Sequence, residues 1–333
     1  MRIAAPINFA LGGAVLALFA GCSGSGLGTT APASFAGSTP VKGFTTPSLV
    51  QTGGATAFIS DYYNSVVYVL NERAAVTATL TGFMHPGSMA TDKNGNLYVV
   101  NHGASNEILE LAPPYTSVTK TYSDPDGFAL DVAVDGSGDV AVTNRDGTQH
   151  YGIGNVIFYS AGSTTPTGMA SSTGFPKPYF GAFDKRGTFF FDDRVGGGTN
   201  IGAVRHGEIK NMNAPIVPLT MANPIVFPGS VHVSTAGDLA IGDPMSAGGP
   251  VIYTYAMPTD GNLGSPISTT PLPGSSADFA FASRSHLVLT NNGGGDIVYL
   301  FRYPSGGAPL KNVTMPGNAA GEAVLPNGRF ILH

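Results

Sequence analysis

A polar turn followed by a short alternating β-run returns along this chain at a nearly fixed interval, and that recurrence decides what it can fold into. The copies are Asn94-Gly95-Asn96-Leu97-Tyr98-Val99-Val100-Asn101, then GDVAVTN ending at Asn144, GTFFFDD ending at Asp193, GDLAIGD ending at Asp243 and SHLVLTN ending at Asn291. With Gly54, Gly95, Gly138, Gly187, Gly237, Ser285 and Gly328 as anchors, the intervals are 41, 43, 49, 50, 48 and 43 residues. Such a period suits a propeller blade of four short strands. Upstream of the anchors lie the short strands GSMATD, LDVAVD, YFGAFD, SVHVST, DFAFAS and GEAVLP. A third strand follows each polar loop, as at Val66 to Leu70, Ile108 to Leu111, Val156 to Tyr159, Val251 to Tyr255 and Ile297 to Phe301. A weaker fourth strand completes the unit, as at Thr77 to Leu80 or Ile216 to Met221.

The first unit lacks an inner strand and the last ends at Phe330-Ile331-Leu332-His333, so the C-terminal GEAVLP is expected to join the strands that begin at Ala57-Phe58-Ile59. The expectation is an all-β, six-bladed propeller over residues 54–333, its ring closed by both termini and its sheet edges thereby removed. Both FILH at the C-terminus and AFIS near the N-terminus compete for the second-strand place of the closing blade. Composition agrees with an all-β fold: 46 Gly and 25 Pro make 71 of 333 residues, and both interrupt helices. With 42% hydrophobic residues a core is available. A net charge of −5 without any Lys/Arg run excludes nucleic acid as an expected partner, since phosphate neutralisation needs clustered cations.

Residues 1–22 carry one Arg, an apolar run from Leu11 to Ala20, and small residues before Cys22, the only cysteine. This is an export signal, too short in its apolar run for a retained span. Leu18-Phe19-Ala20-Gly21-Cys22 resembles the bacterial lipoprotein signal, with Phe19 where Leu is usual; the resemblance implies lipidation at Cys22. An ordinary secretory peptide is the alternative, and either way the mature chain is disulfide-free. Residues 23–53, rich in Gly, Ser, Thr and Pro, read as a disordered tether. The expected location is the bacterial cell envelope, at the outer membrane or cell surface, with the membrane reached through the lipid anchor.

Pro86-Gly87-Ser88-Met89-Ala90-Thr91-Asp92-Lys93-Asn94-Gly95-Asn96-Leu97-Tyr98-Val99-Val100-Asn101 looks like an NHL-type repeat. The organisation of residues 54–333 is similar to the wider group that holds gluconolactonase-like and virginiamycin B lyase-like propellers. The resemblance implies binding modules, scaffolds, lactonases or lyases, so it does not select a function.

Inner strands line a propeller's channel. Seven places before each anchor stand Ser88, Asp131, Phe180, Ser230, Asp278 and Gly321, with Glu322 one place on. The gluconolactonase-like resemblance implies channel carboxylates around Ca²⁺, and Asp131, Asp278 and Glu322 are the candidate ligands; the alternative is that they hydrogen-bond strand ends in a wet channel. Asp61, Asn101, Asn144, Asp193, Asp243 and Asn291 end the second strands and read as a ring of turn caps. Asp92-Lys93-Asn94-Gly95 and Asp135-Gly136-Ser137-Gly138-Asp139 lack the spacing of a calcium loop and are turns. His85, His102 and His150 are candidates for a general base or a transition metal, with His206 also placed in a loop after the second strand. No Gly-x-Ser-x-Gly elbow and no phosphate loop is present. The expected function is a monomeric, lipid-anchored module binding an envelope protein or small ligand through loops 145–155 and 193–207. The alternative is a metal-dependent lactonase or lyase at the channel mouth.

Overall fold

A computed structural model describes residues 55–103, 106–124, 127–147, 152–195 and 204–332. The leader, Cys22, the tether and His150 lie outside the described residues. Strands occur in six groups, and no helix occurs among the described residues. Blade one holds β1 (Ala55–Asp61), β2 (Val66–Asn71) and β3 (Val76–Leu80). Blade two is β4 (Pro86–Thr91), β5 (Leu97–Asn101), β6 (Glu107–Leu111) and β7 (Lys120–Ser123). Blade three is β8 (Phe128–Val134), β9 (Val140–Asp146), β10 (Asn155–Tyr159) and β11 (Gly168–Ala170). Blade four is β12 (Pro178–Phe183), β13 (Phe189–Arg194), β14 (Val204–Ile209) and β15 (Val217–Met221). Blade five follows with β16 (Val231–Val233), β17 (Leu239–Asp243), β18 (Val251–Tyr255) and β20 (Ser268–Pro271), while β19 (Asn262–Gly264), from the preceding loop, adds in parallel to β15. Blade six is β21 (Phe279–Ala282), β22 (Leu287–Asn291), β23 (Ile297–Arg302) and β24 (Lys311–Thr314), and β25 (Gly321–Val324) becomes the inner strand of blade one.

The closing register pairs Ala57 with Val324, Phe58 with Ala323, Ile59 with Glu322 and Ser60 with Gly321. AFIS therefore takes the contested place. The C-terminal run lies outside any strand, with Phe330 buried in the core between blades six and one and the Ile331 N–H donating to the Glu72 carbonyl.

Second strands begin with an apolar run because both of their faces are covered there, and they turn polar toward their ends. In β13, Phe190 packs toward blade five while Phe189 and Phe191 pack toward blade three. In β17, Leu239 and Ile241 face blade four and Ala240 faces blade six. Period-two alternation thus serves two cores at once. Six apolar layers result, one between each pair of neighbouring blades.

The repeating turns have one construction. Asp92 Oδ1 accepts from the N–H groups of Asn94 and Asn96 at 2.9 and 2.8 Å, and Asp135 Oδ1 accepts from Ser137, Gly138 and Asp139. Asp184 repeats this with Arg186 and Thr188. Each hairpin then needs a left-handed residue, and Gly95, Gly138, Gly187, Gly237 and Ser285 supply it with φ of 82°, 97°, 80°, 93° and 60°. These hairpins share one face of the disc. Antiparallel pairing sends the second-strand ends and the connections between blades to the opposite face.

Candidate functional site

The inner strands enclose a channel of about 260 Å³. At its first ring, Ser88 Oγ donates to Asp131 Oδ1, and the Gly181 N–H donates to Asp131 Oδ2 at 2.9 Å. The place counted from the anchor holds Phe180, whose side chain packs against the core between blades four and five, and the N–H of the next residue, Gly181, reaches Asp131. Across the channel, Ser230 Oγ donates to Asp278 Oδ1 and accepts from the Phe279 N–H at 3.1 Å. Glu322 Oε2 accepts from Asn291 Nδ2 at 2.8 Å, while Glu322 Oε1 is buried without a hydrogen-bond partner.

Burial controls how these acids titrate, because a charge in such a wall loses its water. It pushes the Asp131 carboxyl up to about 7, against the bonds from Ser88 and Gly181, and the charge of Asp278 adds to the rise. Burial likewise brings Asp278 to about 6 despite Ser230. Glu322 is raised well above the usual carboxylate range by burial and then by Asp278. Asp192, which accepts from the Phe180 N–H at 2.8 Å, is also raised well above that range by burial.

The calcium expectation does not fit this geometry. Asp131, Asp278 and Glu322 share one channel, yet no group of three or more His, Cys, Asp or Glu side chains among the described residues is placed to hold a metal ion. Hydroxyl and amide donors already point at these carboxylates, and a cation cannot share an oxygen's lone pairs with them at full strength.

The second-strand ends tie their own loops to the preceding connection. Asp61 accepts from the Asn64 N–H at 2.9 Å, Asn101 from the Met84 N–H at 2.7 Å, and Asp243 from the N–H groups of Val226 and Met245 at 3.0 and 3.1 Å. Asn144 donates to Asp124 and Asn155, Asp193 accepts from the Lys177 N–H, and Asn291 accepts from the Gly293 N–H at 2.7 Å.

Above this ring runs a crown of aromatic and basic side chains. Tyr63 meets Tyr62 edge-on, Tyr62 stacks on His85 at 4.7 Å and lies 5.7 Å from His102, and His102 stacks on Phe128 at 4.7 Å. The Arg145 guanidinium sits 5.1 Å over Phe128, and its Nε lies 2.7 Å from Asp146, which also holds Lys177 at 2.7 Å. Burial alone would raise Asp146, but Lys177 and Arg145 outweigh it and hold the carboxyl below its ordinary value. Further round, Arg194 lies 4.9 Å over Phe227, which meets Tyr179 edge-on. On this same face Tyr63 and Met84 are 51% and 53% exposed, and Ile153, Val226 and Met245 are exposed as well.

His85 and His102 thus belong to one cluster as stacking partners. His206 is not in a loop: it lies within β14, 3% exposed, and burial lowers its pKa to about 3. Sequence spacing did not reveal Tyr62, Phe128, Arg145, Lys177 or Phe227, which become neighbours only when loops of successive blades converge.

Fold and site together define a six-bladed β-propeller with an acid-lined channel and, on the face where the second strands end, a cluster of aromatic and basic side chains. No known protein-family profile matches the chain, and no curated protein matches it. Among solved structures it is similar to a Bacteroides caccae protein of unknown function, with a TM-score of 0.58 and 10% identity over 83% of this chain and 100% of that one. It is also similar to Kuenenia stuttgartiensis hydrazine synthase, with a TM-score of 0.56 and 13% identity over 82% of this chain and 87% of that one. A streptogramin B lyase structure aligns at a TM-score of 0.46 and 14% identity over 69% of both chains. At such identities the likeness concerns the fold alone.

Proposed function

We propose that this chain is an exported, lipid-anchored propeller of NHL-repeat type that acts as a binding module at the cell envelope, using the crowned face. One observation carries the reading: among the described residues, five of the eight exposed large apolar side chains, Tyr63, Met84, Ile153, Val226 and Met245, lie with the stacking cluster on the face where second strands end. Contiguous aromatic and basic surface of this kind marks contact sites, because rigid rings bury large area at little entropic cost. The Leu18 to Cys22 text supports the anchor.

A photo-crosslinker placed at Tyr63 or Met84 should capture a discrete envelope partner, and the same group at Lys93 or Arg186 should not. Equal capture from both faces would sink the reading. Cys22→Ser should release the chain from membranes; a variant that stays bound would remove the anchor.

A second reading keeps one observation. Asp131 and Asp278, at about 7 and about 6, titrate where general acids and bases work. That supports a metal-independent lactonase or lyase, which predicts lactone-opening or elimination activity abolished by Asp278→Asn. Absence of turnover across lactone and elimination substrates would leave the binding module alone.

A further inference from the structure

Charge is sorted by face in this protein more sharply than its net value of −5 shows. Among the described residues nine Lys and Arg side chains are fully exposed, and eight of them stand at the hairpin end of the disc. Lys93, Lys185, Arg186 and Arg284 sit on the turns that lead into second strands. Arg73, Lys210 and Arg302 stand where third strands end, and Arg329 belongs to the C-terminal run beside them. Only Arg205 is exposed at the other end. Acids behave in the opposite way: among the described residues only Asp260 and Asp296 are fully exposed, and only Asp260 lies at the hairpin end. The remaining acids of that end are buried or half-buried. Asp92 and Asp184 cap their turns, and Glu110 and Glu208 lie beside Lys120 and Lys210 at 3.0 and 3.6 Å. The chain also enters the propeller here, since β1 begins at Ala55, paired with Asn71 beside the Arg73 turn.

We propose that the hairpin face lies on an anionic membrane surface, its exposed Lys and Arg side chains against lipid phosphates, so that the crowned face is turned away from the bilayer. The inference rests on the envelope location proposed above and adds which way the disc faces. Cations on blades one, two, four and six are spread round a face made of turn tips, which suits a planar array of headgroups. A linear polyanion is better met by cations along a groove or stripe. Linkage through Cys22 would not orient the disc by itself, because residues 23–54 can span about 100 Å when extended. Screening over about 8 Å at physiological salt leaves only the charges nearest the headgroups to act, and those are the exposed ones. At that salt the face orients a tethered chain rather than holding a free one.

The test uses the full chain, which has no Trp and a single thiol at Cys22. Coupling Cys22 to a maleimide lipid tethers the protein to vesicles whether or not cells lipidate it, so failure of the anchor reading leaves this test standing. One Trp is placed on each face, by Ser137→Trp on an exposed hairpin turn and by Met84→Trp in the crown. The vesicles are brominated phosphatidylcholine with or without about 30 mol% phosphatidylglycerol. With the anionic lipid at about 0.15 M salt, Ser137→Trp should be quenched at least twofold more than Met84→Trp. That contrast should vanish in neutral vesicles, at about 1 M salt, and in Lys93→Glu/Lys185→Glu/Arg284→Glu/Arg329→Glu. Should the fourfold variant not fold, the lipid and salt dependence on the native charges decides. Equal quenching, stronger quenching at Met84→Trp, or a contrast that persists in neutral lipid or after charge reversal overturns the proposal. Dextran sulfate that abolishes the contrast at a charge concentration below that of the vesicles assigns the face to a linear polyanion and overturns it too.

Discussion

The channel has two walls that begin alike and end differently. Blades two to four present Ser88, Asp131 and the N–H of Gly181; blades five, six and one present Ser230, Asp278 and Glu322. In the first wall a backbone donor completes the acid. In the second a further acid stands nearby, and one oxygen is left over. The same Ser–Asp clasp is therefore a finished joint on one side and an unfinished one on the other.

The largest way to break the contrast is at Gly181. A Cβ there would meet the Phe189 ring at 2.2 Å in the core between blades three and four, so Gly181→Ala should cost about 3 kcal/mol of stability in urea unfolding. Asp131→Asn tests the other element of that wall. Its folded pKa is raised, so the native state holds a proton that the unfolded chain gives up near pH 4, and wild-type stability falls as pH rises from there through about 7. An Asn, which never ionises, should be more stable than wild type at pH 8 and no more stable at pH 4. A thermal-unfolding series across that range checks the sign; a gain at pH 4 would assign the effect to packing.

The serines sharpen the comparison further. Ser230→Ala removes a donor to Asp278 and also the acceptor of the Phe279 N–H, whereas Ser88→Ala removes only a donor. Expected losses are about 2 and about 1 kcal/mol in denaturant titrations at pH 5. Equal losses would mean that the Phe279 N–H finds another acceptor. Smallest of all, Tyr63→Ala and Met84→Ala should stay within about 0.5 kcal/mol of wild type, because both side chains are half exposed. A larger loss would give the crown a structural role.

Much of this was legible from spacing. The turn anchors stand in the left-handed conformation at Gly95, Gly138, Gly187 and Gly237, and the alternation in β13 and β17 gives two cores per strand. The closing blade was not decidable, because AFIS and FILH are equally apolar. What settles it is a hairpin: β1 runs directly into β2, while Phe330 can bury its ring in the last core from an irregular segment. The channel ring was legible except at blade four, where Phe180 turns into the core between blades four and five and the neighbouring Gly181 N–H meets Asp131. His206 was misplaced because GAVRHGEI carries no obvious strand alternation, yet β13 pairs with it from Phe189 to Arg194. The crown was out of reach, since stacking between Tyr62, His102 and Phe128 joins three blades and depends on loop paths that no local pattern encodes.

The clasp between β1 and β25 has a consequence in time as well as in space. Ser60 and Gly321 are 261 residues apart in sequence and neighbours in the sheet. Blade one cannot receive its innermost strand until the strands of the other five blades have been made, and until then β1 is an open edge. Such distant pairing makes for slow folding and for an early intermediate with a strand to offer. Until β25 arrives the ring is unlatched, and that strand, the last of the six blades in chain order, is the latch.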